Sequence, residues 1–104
     1  GVRYATGLRN VVALDWNQST RSLFAAQHGR DQLNSLFPEM YTVEKSAETP
    51  AEELFEIKKS GADFGWPYCY YDLALRKKLL APEYGGDAVT TGRCAGVEAP
   101  VVAF

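Results

Sequence analysis

The segment from Val11 to Gln27 constrains the fold more than any other. Two short apolar runs, 11–16 and 22–27, flank the polar stretch Asn17-Gln18-Ser19-Thr20-Arg21. Runs of this length joined by a few polar residues predict a β-hairpin. Strict alternation puts Val12, Leu14 and Trp16 on one face and Val11, Ala13 and Asp15 on the other. Both faces are largely apolar. The first strand is therefore expected to be covered on both sides, as in stacked sheets or the inner strands of a propeller blade.

The remainder of the chain keeps to the same class. Residues 31–49 mix Leu, Phe and Tyr with polar residues and keep no period, which predicts a long, partly buried loop. Thr49-Pro50-Ala51-Glu52 has the pattern that caps a short helical turn. In "LFEIKK", Phe55 and Ile57 share one face, so this run reads as a strand. "SGAD" makes a turn. "FGWPYCYYD" is a short strand broken by Pro67. Residues 73–97 form a second long loop, and "PVVAF" begins another strand. About five short strands and no amphipathic helix give an all-β class.

Charge and composition remove several functions. The chain of 104 residues is 46% hydrophobic with a formal charge of −2. It has no basic block to neutralise phosphates, so nucleic acid is not an expected partner. No apolar run approaches the roughly 20 residues that span a bilayer. The chain opens without Met and stops inside the apolar run "APVVAF", so residues 1–104 are read as a single partial domain, a fragment of a longer chain. Cys69 and Cys94 suit either two thiols in a cytosolic protein or a disulfide in an exported one. One His and no CxxC pair give no zinc site.

Few residues carry chemistry. Arg9-Asn10 stands at the mouth of the first strand. It is either a turn with a surface Arg, or a pair reaching into a cleft with a fixed fork of donors and an amide. His28, the single imidazole, ends the second strand and precedes Gly29. Gly permits unusual dihedrals, and carbonyls exposed there suit a hard cation such as calcium. In "GADFGWPYCYY", Gly65, Trp66 and Pro67 read as bend, packing and strand end, while Tyr70 and Tyr71 are candidates for a sugar cleft. Asn17-Gln18-Ser19 matches the N-glycosylation pattern on a turn.

Taken in order, "YATGLRNVVAL", "HGRDQL" and "GADFGWPYCY" closely resemble the sorbosone and glucose dehydrogenase family, and the likeness extends through "APEYGGD" and "GRC". Members are soluble, pyrroloquinoline quinone-dependent sugar dehydrogenases built as six-bladed β-propellers. The resemblance implies about two blades' worth of propeller with long loops. It implies that Arg9 and Asn10 hydrogen-bond the quinone oxygens, with Arg9 stabilising charge in catalysis. It implies that the Gly29 and Arg30 carbonyls hold calcium, with His28 beside them at the cofactor and not the general base. One departure is Val11, where the family usually has Pro. The family is exported, which implies a Cys69–Cys94 disulfide and a secreted or periplasmic location. The implied partners are a sugar, an electron acceptor and the rest of the parent propeller. The fragment alone is expected to be inactive. The alternative is a propeller module without cofactor that serves in carbohydrate binding or adhesion.

Overall fold

The computed structural model describes residues 3–104. Its elements are β1 (Ala5–Thr6), β2 (Asn10–Asn17), β3 (Ser22–His28), α1 (Leu33–Leu36), α2 (Val43–Glu48), β4 (Glu53–Ile57), β5 (Ala62–Asp63), β6 (Cys69–Asp72), β7 (Lys77–Leu80) and β8 (Val102–Ala103). Two 3-10 turns lie at Pro82–Tyr84 and Gly92–Gly96. The fold is β-rich. An antiparallel sheet has the strand order β2-β3-β4-β8, β6 pairs with β7 antiparallel, and β1 pairs with β5 parallel.

The β2–β3 hairpin forms as its sequence predicts, but its alternation does not hold. Val11 pairs with Gln27 and Ala13 with Ala26, so Val12 is an extra residue in a β-bulge. Directly paired residues share a face. Val11, Leu14 and Trp16 therefore lie with Gln27, Ala25 and Leu23, the side of β3 that enters the core. Nor is β2 covered on either side: every residue in it is exposed, Leu14 by 62% and Trp16 by 47%. The expectation of a doubly buried strand is corrected. β2 is an edge strand, and the core reaches only as far as β3.

That core is built by β3 and β4. Glu53, Phe55 and Ile57 of β4 point inward in strict alternation. Phe55 packs on Phe64 with ring centroids 4.4 Å apart, beside Ala25 and Ala62. A second core joins Leu33 and Tyr41 to Tyr70, Leu79 and Ala81, with Phe37 and Met40 against them.

The segment expected to be a long loop supplies that second core. Residues 31–49 hold α1 and α2. The cap of α2 is Thr42, whose hydroxyl accepts from Lys45 N at 3.1 Å, with Glu44 favourable in the first turn. Thr49 closes this helix instead of opening one, because Pro50 cannot continue it. Pro50 instead bridges to Asp72. The second expected loop, 73–97, contains β7 and both 3-10 turns. Short helices of four and six residues carry too little period to be read from sequence.

Cys69 and Cys94 form a disulfide, with Cα atoms 5.8 Å apart. It ties the start of β6 to the second 3-10 turn. Cys94→Ser should lower stability by about 3 kcal/mol through the freed loop. Denaturant midpoints with and without a reducing agent measure this, and equal midpoints would contradict it.

Candidate functional site

The antiparallel register places Asn10 opposite His28. The start of β2 and the end of β3 therefore meet at one edge of the sheet. Across that edge Arg9 Nη1 donates to the Gly29 carbonyl at 2.9 Å, and Nη2 lies 3.4 Å from Asp31 Oδ1. The guanidinium also sits 5.3 Å from the centre of the Trp66 ring. Gly29 is required where it stands: a Cβ there would come within 2.4 Å of the Ala51 carbonyl oxygen. Glu52 braces the same turn. One of its oxygens accepts from Gly29 N at 3.0 Å and the other from His28 Nδ1 at 2.5 Å. Burial pushes the Glu52 carboxyl up, but these two bonds and the nearby positive charge outweigh it and hold it below the usual range.

Arg30 departs from a purely backbone role. Its side chain is 4% exposed and makes a two-pronged pair with Glu83, both N–O distances being 2.9 Å. It approaches Trp66 at 5.9 Å and Tyr70 at 6.0 Å. Its Nε is buried with no partner among the described residues. The fork of donors from Arg30 holds the Glu83 carboxyl below its ordinary value. Arg9 and Arg30 thus converge on one indole from different turns of the chain.

A buried polar chain lies behind Arg9. Its backbone N–H donates to Gln27 Oε1 at 2.8 Å, and Gln27 Nε2 donates to Glu53 Oε1 at 3.2 Å. Lys78 Nζ stands 2.9 Å from Glu53 Oε2 and donates to the Phe64 carbonyl at 2.7 Å. The carboxylate accepts only, so the Gln27 amide must turn its NH₂ inward and its oxygen toward Arg9. Burial drives Glu53 up and Lys78 down, each toward neutrality, and the pairing opposes both shifts.

The structure brings Arg9, Asn10, His28, Gly29 and Arg30 to one edge, while Cys69 and Cys94 form the bridge described above. Tyr70 does not line a cleft. It is buried in the second core, where its hydroxyl meets that of Tyr41. Tyr71 is half-buried in β6. Sequence reasoning missed Gln27, Glu53, Lys78 and Glu83. A signal existed for two of them. Extending the inward alternation back from Phe55 reaches Glu53, and continuing it along β3 from Leu23 and Ala25 reaches Gln27, a polar residue in a core row.

Among the described residues, no three His, Cys, Asp or Glu side chains gather in a way that would hold a metal ion. None of the described helices is long and apolar enough to cross a membrane. A pocket of about 270 Å³ lies at the far end of β4, lined by Glu56, Lys58, Ala62 and Val101, and shares no residue with the Arg9 edge. Comparison with protein-family models, curated proteins and solved structures finds no match to this chain.

Proposed function

We propose that this chain is part of a quinone-dependent sugar dehydrogenase of the sorbosone and glucose dehydrogenase type, and contributes one edge of the cofactor cleft. The observation that carries this reading is the meeting of Arg9 and the Gly29 carbonyl over Trp66. The four-stranded antiparallel sheet has the strand number of one propeller blade, which supports assigning the chain to such a fold. The exposed β2 would then be covered by the rest of the parent propeller. The disulfide supports an exported parent, secreted or periplasmic.

The residues present fit pyrroloquinoline quinone and calcium. A flat, carboxylate-bearing quinone suits a guanidinium fork beside an indole face. A carbonyl oxygen has two lone pairs. Gly29 uses one on Arg9, and the other would be its ligand to a hard cation, with the Arg30 carbonyl beside it as the resemblance implies. When bound, the quinone accepts the sugar's hydride and calcium polarises it as a Lewis acid. Arg9 would place a fixed positive charge where negative charge develops. Glu52 holds the Gly29 turn and engages His28 Nδ1. That bond occupies Nδ1 alone; that His28 braces the turn and is not the general base is what the resemblance implies.

The test uses the full-length parent, stripped with a chelator and then supplied with calcium and pyrroloquinoline quinone. Sugar-dependent reduction of a dye should appear only with both, and quinone binding should quench Trp66 fluorescence. Neither quenching nor dye reduction with any aldose would remove the reading.

A further inference from the structure

We propose that Tyr84, backed by Tyr68 and Arg93, is a docking platform for a pyranose unit of an oligosaccharide, one lying beyond the unit held at the Arg9 edge. This rests on the sugar-dehydrogenase reading above. Tyr68 and Tyr84 are 39% and 46% exposed, yet they are not loose surface side chains. Their ring centroids are 4.6 Å apart in an edge-on arrangement, and the Arg93 guanidinium lies 4.2 Å from the centre of the Tyr68 ring. Tyr68 is thus occupied by two neighbours. Tyr84, the more exposed ring, keeps open surface.

The covalent frame explains the stack. Tyr68 precedes Cys69 and Arg93 precedes Cys94, so the disulfide brings their side chains together. Tyr84 closes the 3-10 turn that starts at Pro82, with its N–H bonded to the Ala81 carbonyl at 2.9 Å. The turn exits through Gly85 at a φ of 94°, a conformation that favours glycine. A Cβ on Gly86 would fall 1.8 Å from the Leu80 carbonyl oxygen, so the exit path is fixed as well.

The platform is continuous with the edge already described. Glu83, next to Tyr84, is locked to Arg30, and Arg30 and Arg9 approach the same Trp66 ring. From Arg9 the line runs through Trp66, Arg30 and Glu83 to Tyr84. With Arg30, Glu83 and Trp66 standing between Arg9 and Tyr84, a sugar unit on Tyr84 would be a different unit from the one at Arg9. The chemistry favours a carbohydrate occupant. The C–H face of a pyranose suits the electron-rich face of an aromatic ring, and its hydroxyls can accept from Arg93. Two rings offer far less area than the roughly 1,000 Å² that a stable protein partner needs.

The experiment measures calorimetric binding of D-glucose, maltotriose and cellotriose to the full-length, quinone-free parent. At least one trisaccharide should bind about tenfold or more tightly than glucose. Tyr84→Ala should abolish that advantage and leave glucose binding unchanged, while Tyr84→Phe should keep it. The platform is overturned if neither trisaccharide exceeds glucose, or if a folded Tyr84→Ala retains the advantage. It is equally overturned if Tyr84→Ala and Tyr84→Leu both fail to fold, because the ring is then covered by the parent's own chain. Trisaccharide binding through Tyr84 without sugar-dependent quinone reduction would keep the platform and replace the dehydrogenase by a carbohydrate-binding module. Reduction of quinone by sugars with Tyr84 irrelevant to binding would do the reverse.

Discussion

Replacing Lys78 by Met should destabilise the protein by about 3–5 kcal/mol, because it strands a buried carboxylate. Glu53 is 3% exposed and Lys78 5%, and among the described residues no other positive charge stands within bonding distance of Glu53. The loss should shrink as the pH falls. Burial holds the folded Glu53 carboxyl above its ordinary value of 4.5, so in the variant the folded state takes up a proton before the unfolded chain does. Between 4.5 and the raised folded value, lowering the pH therefore stabilises the variant. Removing both charges, as in Glu53→Met with Lys78→Met, should recover most of the loss. Buried pairs stabilise little over apolar residues of similar volume, and much of the single-site cost is the orphaned partner. Denaturant unfolding of the three variants at several pH values tests this. A Lys78→Met protein as stable as the parent chain at neutral pH would contradict it.

If the chain serves in a quinone-dependent sugar dehydrogenase as proposed, Arg9→Lys in that enzyme should lower turnover by about 10²–10³, the usual consequence of losing one donor aimed at developing charge. Lysine keeps the charge and loses the geometry. Arg9 reaches the Gly29 carbonyl with one nitrogen and Asp31 with the other while its guanidinium lies near Trp66. A single ammonium cannot do all three. The effect on stability should be small, since Arg9 is not part of either core. Turnover at the level of the unaltered enzyme, measured with sugar and quinone at saturation, would remove Arg9 from the mechanism.

Much of the sheet was legible because it follows from period two. β4 and the meeting of Arg9 with Gly29 come from alternation and antiparallel pairing, and the hairpin from two short apolar runs around a polar connection. The disulfide was legible only through the resemblance to an exported family, since two cysteines alone allow either redox state. What stayed hidden depended on contacts distant in sequence. α2 is held by Thr42 at one end and Pro50 at the other, and the second core needs Tyr41 and Tyr70, far apart in the chain. The Arg30–Glu83 pair joins residues separated by 53 positions, and no local pattern announces it.

The bulge at Val12 has a consequence for aim. Counting back from Trp16 and Leu14 by twos would send Val12 and Asn10 toward the core side and Arg9 outward. The extra residue shifts the phase by one, so Val11 takes the core side opposite Gln27 and Asn10 turns away opposite His28. Arg9, the next residue back, then falls on the same side as Gln27, its hydrogen-bond partner. Val12 thus acts as a spacer whose own side chain is dispensable and whose presence in the count is not. Strand and motif are two rulers with different zero points, and one inserted residue brings them into step.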